Sequence, residues 1–211
     1  AMHPKHVHKL PLDMPLKYGV LVEPVAMCLE GLRKLAVQPG QTACVVGAGA
    51  MGNLCSQVLR ARGLHVTTVD RNPRRLFLLY KYDVDTLPEL GALEKYDYLV
   101  DASRDRETLP HLIEKSNPSA TVLLLDPHHS WARQAGPGKE TSQERLIRIS
   151  AAGCGADWAE AIRLVRSRTI QLDDHTATVE ALEDYRKAWA GVETGEYFKV
   201  LLNVSKELAV L

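Results

Sequence analysis

Three glycines and one aspartate have the types and spacing in this 211-residue sequence that most clearly suggest chemistry. Gly47, Gly49 and Gly52 fit the pattern G-x-G-x-x-G between a short apolar run and a helical pattern. In that context the first glycine permits a tight turn, the second lets a diphosphate approach the backbone, and the third lets the helix pack on the strand. The N–H groups and dipole at the start of the helix favour negative charge. We therefore predict a dinucleotide-binding turn.

The residue that would hold the adenosine ribose follows at the expected distance. Asp70 ends the second apolar run, where an acidic side chain can accept hydrogen bonds from ribose hydroxyls. A carboxylate there repels a 2′-phosphate, which predicts NAD(H) in preference to NADP(H). Arg71, Arg74 and Arg75 keep NADP(H) open, because arginine can also hold a 2′-phosphate. A helix-capping or surface role is the structural alternative for Asp70.

Two groups of histidines are weaker candidates. Asp126, His128 and His129 follow the apolar run 121–125, at the sheet edge where ligands bind, but a loop that caps its own backbone explains them better. The histidines of the N-terminal segment have no cysteine or aspartate close by in the sequence, which favours solvated side chains over a metal site. These are His3, His6 and His8.

Alternating apolar runs and helical patterns predict the elements that position these residues. Strands are expected at 43–46, 65–69, 98–100, 121–125, 146–151 and 199–204, with amphipathic helices between them. This alternation predicts the α/β class, a doubly wound parallel sheet of the Rossmann type in three α/β/α layers. Residues 1–15 are interpreted as an extended leader with a tag remnant at Ala1, and residues 16–211 as one dinucleotide-binding domain with a C-terminal helix and strand. Trp158 and Trp189 are expected in the core.

Composition excludes several other classes of protein. Lys plus Arg equals Asp plus Glu at 26 each, so nothing favours nucleic acid or an anionic membrane as partner. We find no apolar run of membrane-spanning length and no signal-peptide pattern, which predicts a cytoplasmic protein. The four scattered cysteines are expected to be reduced core thiols.

The order of four sequence blocks resembles one enzyme family, the medium-chain zinc-type alcohol and polyol dehydrogenases. The blocks are LVEPVAMCLEGL, VVGAGAMG, VTTVDRNPRRL and LEDYRKAWAGVETGEYFKVLLNV, and together they extend over nearly the whole chain. The resemblance implies that this chain is the nucleotide-binding domain of such an enzyme, with NAD as cofactor and a small alcohol or carbonyl compound as substrate. The residues that it implies at the cofactor are Gly47, Gly49, Ala50, Met51 and Gly52 along the pyrophosphate and nicotinamide, Asp70 and Arg75 at the ribose, Arg71 at adenine, Ala102 and Ser103 beside the cofactor, and Lys199 near the phosphates.

The family's N-terminal catalytic domain has no counterpart in this sequence. Glu23 matches a glutamate that lies at the catalytic zinc of polyol dehydrogenases, but one glutamate cannot fix zinc, which takes about three protein ligands. Zinc is therefore expected only if a fused or upstream catalytic domain completes the site, and this chain alone is expected to be inactive. The alternatives are a zinc-independent reductase domain of a multifunctional protein and a non-catalytic nucleotide-binding module. The resemblance also implies a homodimer through edge strands.

Overall fold

The computed structural model describes residues 3, 7–93, 95–103, 105, 107–117, 119–125, 146–148, 154–171 and 178–204. The helices are α1 (Leu16–Gly19), α2 (Val22–Leu35), α3 (Ala50–Ala61), α4 (Pro73–Phe77), α5 (Thr108–Lys115), α6 (Gly155–Arg166) and α7 (Tyr185–Glu193). The strands are β1 (Thr42–Val46), β2 (His65–Val69), β3 (Asp85–Leu87), β4 (Tyr98–Asp101), β5 (Thr121–Leu124), β6 (Leu146–Arg148), β7 (Thr178–Ala181) and β8 (Val200–Asn203). Short 3₁₀ turns lie at Tyr80–Tyr82 and Leu182–Asp184.

Six strands form one parallel sheet in the order β3-β2-β1-β4-β5-β6. The chain moves outward from β1 to β3 and then returns to the other side of β1 as β4, so the strand order reverses between β1 and β4. Open sheets of this kind bind ligands at that point, beyond the carboxyl ends of the strands. The predicted Rossmann fold is confirmed, and the strand β3, too short and polar for an apolar pattern, is the one that the sequence did not predict in this sheet.

Alternate strand residues form two separate cores. On one face, Val45 and Val100 pack with buried residues of α2, α3 and α6, such as Leu29 and Leu54. On the other face, Val46 and neighbouring strand residues pack against Leu109 and Leu112 of α5. Helices on both faces give the expected three layers. Each fully buried leucine contributes about 2 kcal/mol to folding, so the two cores hold the edge of the sheet in place.

A buried amide side chain connects α3 to the chain that leaves α6. The Nε2 atom of Gln57 donates to the carbonyl of Gln171 at 2.7 Å, and the Gln171 N–H donates back to Gln57 Oε1 at 3.0 Å. Asn53 Oδ1 accepts a further bond from Gln57 Nε2 at 2.7 Å. Because buried polar groups must be paired, this network fixes residue 171 against α3.

The segment 178–204 forms a separate C-terminal unit. Its strands β7 and β8 pair in parallel with each other, and α7 connects them. The prediction that residues 199–204 close the alternation as a strand is correct, but this strand pairs with β7, which the sequence analysis did not predict. The expected core position of Trp189 is wrong, since that residue is 68% exposed.

The N-terminal segment contacts the main domain. Met14 is only 4% exposed and lies in the first core, and the His8 ring stacks on Trp158 of α6 with centroids 4.9 Å apart. Asp13 accepts hydrogen bonds from Arg166 at 2.6 and 3.1 Å. Within the described part of the chain, no helix combines the length and apolar character needed to cross a bilayer.

Candidate functional site

The glycine turn joins β1 to α3 at the reversal of strand order. Gly47 has φ +99°, and a side chain there would meet the Ala102 and Ser103 backbone at 2.9 Å. A Cβ on Gly52 would lie 1.7 Å from the Gly47 carbonyl oxygen, so α3 can approach β1 only without one. Both glycines therefore have the structural roles predicted from the sequence, and each is required by a close backbone approach.

Gly49 differs from the other two glycines, because a Cβ built on it would meet no atom within 4 Å. Its backbone is extended, with φ −67° and ψ −173°, and it is the N-cap of α3. No side chain caps this helix end. The first N–H groups of a helix have no intrahelical acceptor, and here they include those of Ala50, Met51 and Gly52. The open space over Gly49 therefore lies where an anionic group would find several backbone donors and the positive end of the helix dipole.

The carboxylate of Asp70 lies beside this turn, as its position at the end of β2 predicts. One oxygen accepts from the Ala48 N–H at 2.7 Å and the other from the Asn72 N–H at 2.8 Å. The side chain is only 11% exposed. Sequence reasoning missed the bond to Ala48, which anchors the glycine turn to the end of the next strand. Each carboxylate oxygen has a further acceptor site, so both bonds are compatible with a ribose hydroxyl at the same group.

Arg75 is the cation that the structure brings to Asp70. Its Nη1 lies 3.6 Å from Asp70 Oδ2, and its guanidinium lies over the Phe198 ring, 5.8 Å from the centroid. Arg71 follows Asp70 directly and is exposed. The Asn72 side chain accepts from the Arg74 N–H and so caps α4.

Ala102 and Ser103 lie against the glycine turn, at the end of β4. The Ala102 N–H donates to the Val46 carbonyl at 2.9 Å, which carries the end of β4 up to the end of β1. Ser103 donates to the buried Asp101 carboxylate through its N–H at 3.0 Å and its Oγ at 2.8 Å. These bonds fix the backbone that approaches Gly47.

Glu23 and Lys199 are two further residues that the sequence predicted at a metal or cofactor site. Glu23 is exposed in the first turn of α2. Within the described ranges, no three histidine, cysteine or carboxylate side chains form a group that could hold a metal ion, so the described residues alone do not fit zinc. Lys199 is half-buried immediately before β8, next to the Phe198 that contacts Arg75.

The remaining candidates have mixed outcomes. Asp126, His128 and His129 lie outside the described residues. Trp158 is half-buried against the first core, as expected. Three of the four cysteines are buried and free, but Cys154 is exposed at the start of α6, so the expectation of a core thiol is wrong there.

A cavity of about 470 Å³ lies away from these residues, beside β2 and β3. Its lining includes Thr67, Asp85 and Lys95, and it contains none of the residues predicted from the sequence to bind cofactor. The carboxylate of Asp85 and the ammonium of Lys95 are both on exposed residues. The open space over Gly49, between Asp70 and the backbone of Ala102 and Ser103, therefore remains the candidate site.

Comparison with curated proteins identifies related dehydrogenases and reductases. No protein-family model matches the chain. "Probable D-xylulose reductase A" of Arthroderma otae is 29% identical over 215 residues, which cover 92% of this chain and 59% of that protein. The (R,R)-butanediol dehydrogenase of Neisseria gonorrhoeae is 26% identical over 188 residues, 82% of this chain and 52% of the relative. The chain thus spans little more than half the length of these relatives.

Solved structures share the fold at low identity. Acetophenone reductase from Geotrichum candidum, in complex with NAD, aligns with a TM-score of 0.75 at 18% identity over 93% of this chain and 58% of that one. Galactitol-1-phosphate dehydrogenase from Escherichia coli aligns with a TM-score of 0.74 at 20% identity, over 92% of this chain and 62% of that one. A zinc-binding dehydrogenase from Sinorhizobium meliloti bound to NADP aligns with a TM-score of 0.68 at 20% identity, over 86% of this chain and 57% of that one. The chain is therefore a homologue of D-xylulose reductase and butanediol dehydrogenase, with the Rossmann-like fold found in zinc-type medium-chain alcohol and polyol dehydrogenases.

Proposed function

We propose that this chain is the NAD(H)-binding part of a zinc-type alcohol or sugar-alcohol dehydrogenase. The observation that carries the proposal is the open space over Gly49, at the uncapped start of α3 and beside the Asp70 carboxylate. Backbone donors for a diphosphate and an acceptor for a ribose thus meet at the reversal of strand order, where such sheets bind ligands. When bound, NAD supplies the hydride chemistry, and the protein supplies binding and orientation.

Each part of the candidate site has a proposed role in holding the cofactor. The N–H groups at the start of α3 bind the diphosphate, and Gly49 leaves room for it. Asp70 accepts hydrogen bonds from the adenosine ribose, with Arg75 beside it. The backbone of Ala102 and Ser103 lies next to the diphosphate. The hydrogen bonds from Ser103 to Asp101 hold this backbone in place.

The preference for NAD(H) rests on the charge and burial of Asp70. A 2′-phosphate would be placed against a carboxylate that is mostly buried and already engaged by two backbone N–H groups. Repulsion between like charges is stronger in such a partly desolvated place than in water. Arg71 and Arg75 reduce this repulsion, so we propose a preference and not an absolute restriction.

The alcohol or carbonyl substrate is assigned to a further domain. The described residues do not fit zinc, and Glu23 would be one ligand of a site shared with that domain. The C-terminal unit supports this assignment, because it exposes large apolar side chains that a further domain could cover. Four of these side chains are Leu182, Tyr185, Trp189 and Val192. An exposed apolar patch of this kind commonly marks an interaction surface.

The test is a pair of glycine substitutions that differ only in location. Gly49→Ala adds a methyl group that meets no protein atom, so folding is preserved while the space for the diphosphate is reduced. Gly155→Ala adds the same group at the start of α6, where it also meets nothing. We expect calorimetric titration to give micromolar NADH binding to the unmodified chain and to the Gly155→Ala variant, and weaker binding by roughly tenfold in Gly49→Ala.

Two outcomes would contradict the proposal. Equal NADH affinity in both variants would show that the diphosphate does not bind at the start of α3. Stronger binding of NADPH than NADH by the unmodified chain would overturn the cofactor preference. Turnover assays with NAD and small alcohols are expected to show no activity for this chain alone, since it contributes no complete substrate site.

A further inference from the structure

Arg75 contacts both the end of β2 in the main sheet and the C-terminal unit, whose strands form a sheet of their own. Its Nη1 faces Asp70 at 3.6 Å, and its guanidinium carbon lies 5.8 Å from the centre of the Phe198 ring in the C-terminal unit. The same guanidinium is packed against Gly195, where a Cβ would lie 2.8 Å from Nη2. Gly195 has φ +75°, so its conformation and its lack of a side chain both suit this contact.

One donor of this guanidinium has no acceptor. The Nε atom of Arg75 is buried and has no hydrogen-bond partner among the described residues. A buried donor without a partner destabilises the folded state, and more so when the group is charged. A ribose hydroxyl bound at Asp70 would accept from that N–H while it donates to the carboxylate that Arg75 Nη1 also faces.

Phe198 is connected rigidly to α7. The adjacent Tyr197 packs its ring on Gly191 of α7, so closely that a Cβ there would lie 2.3 Å from it, and the Tyr197 N–H donates to the Gly191 carbonyl at 3.1 Å. Neither of the two cores formed by the described residues includes a residue of the C-terminal unit. A change at the Arg75–Phe198 contact can therefore reach α7 through Tyr197 without passing through either core.

We propose that Arg75 is a positioning residue that couples dinucleotide binding to the placement of the C-terminal unit. The proposal rests on the function proposed above. Its guanidinium is shared between Asp70 and Phe198, so a ligand that occupies Asp70 changes how strongly Arg75 holds Phe198. Such coupling is reciprocal: whatever holds the C-terminal unit in place also changes the affinity for the ligand.

The test measures amide hydrogen exchange in the full chain with and without saturating ADP-ribose, which carries the adenosine ribose and diphosphate but no nicotinamide. Binding is read from slower exchange at the start of α3, and coupling from the exchange of α7. We expect binding to change the exchange rate of α7 amides by about fivefold in the unmodified chain. In Phe198→Leu this response falls below about twofold while α3 is still protected, because the ring that faces Arg75 is gone.

Two further variants separate coupling from charge. Arg75→Met is expected to lose the α7 response, and Arg75→Lys to restore it in part, since the ammonium keeps the charge over the ring. Lys115→Met, at the end of α5 and away from the site, removes the same charge and is expected to behave like the unmodified chain.

The outcomes distinguish this inference from the proposed function. Protection of α3 without any response of α7 in the unmodified chain, or an unchanged α7 response in Phe198→Leu, overturns the coupling and leaves the cofactor site intact. If ADP-ribose protects neither helix at millimolar concentration, the proposed function is wrong, and this inference is wrong with it.

Discussion

At the scale of single residues, Asp70 has a proposed role at the ribose and an observed bond to the glycine turn, and the sequence predicts only the first. Its position at the end of β2 predicts a ribose acceptor, because that requirement depends only on spacing along the chain. The bond from the Ala48 N–H depends on how closely the ends of β1 and β2 approach, which only the folded sheet determines. The same difference explains why the glycine turn could be predicted and the contact between Arg75 and Phe198 could not.

Substituting Asp70 tests the proposed cofactor preference. Asp70→Asn keeps one oxygen as acceptor but removes the charge that repels a 2′-phosphate. We expect NADH to bind roughly tenfold more weakly and the ratio of NADPH to NADH affinity to rise, as measured by calorimetric titration. Asp85→Asn removes an exposed carboxylate on β3 and serves as the control. An unchanged ratio in Asp70→Asn would show that this carboxylate does not select the cofactor.

At the scale of elements, the approach of α3 to β1 depends on the absence of one methyl group. The Cβ of Gly52→Ala would overlap the Gly47 carbonyl oxygen, so the helix must move away from the strand. We expect a loss of about 3 kcal/mol in the free energy of unfolding, measured in urea, whereas Gly155→Ala loses none. A Gly52→Ala variant as stable as the unmodified chain would contradict the close contact.

The ion pair between α2 and α6 makes stability depend on pH. Burial raises the pKa of Asp157, but hydrogen bonds from Arg33 and the Cys154 N–H lower it more, so that this pKa lies below its usual value. A lowered folded-state pKa contributes stability above the unfolded value, near 3.9, which is lost as the pH falls through the folded value.

We therefore expect Asp157→Asn to lower the free energy of unfolding by about 1 kcal/mol at pH 7; the loss is modest because Arg33 is half exposed to solvent. The difference between the variant and the unmodified chain should shrink below about pH 4. Urea unfolding at several pH values measures it. Glu160→Gln on the same helix breaks more exposed pairs with Arg62 and Arg163 and is expected to change little. A pH-independent difference would rule out the charge of Asp157 as its cause.

At the scale of the whole molecule, the sequence predicts the layers of the sheet but not where the last elements pack. The apolar pattern of α7 is the same whether its partner lies inside or outside the chain, so Trp189 was expected in the core. In the structure, β7 and β8 pair with each other, and the apolar side chains of α7 are largely exposed. Periodicity shows that one face of a helix is apolar; only tertiary structure shows what covers it.

Polar substitutions on this face test its exposure. A Leu182→Ser and Trp189→Ser double variant is expected to change the free energy of unfolding by less than about 0.5 kcal/mol per site and to bind less of a hydrophobic dye. Leu59→Ala, in the first core, is expected to lose about 3 kcal/mol in the same assay. A comparable loss in the double variant would show that the face is packed within this chain.

The amide of Gln57 lies where a mechanical load on the carboxyl end would enter the main domain. It holds both polar groups of the Gln171 peptide, so the backbone there is attached to α3 as one strand is attached to another. Tension applied to the carboxyl end would reach this attachment before it reached the sheet. Once the contact between Arg75 and Phe198 has parted, the load passes through Gln171 to the helix that begins at Gly49, and a pull in an optical trap would strain the glycine turn while the six strands stayed paired.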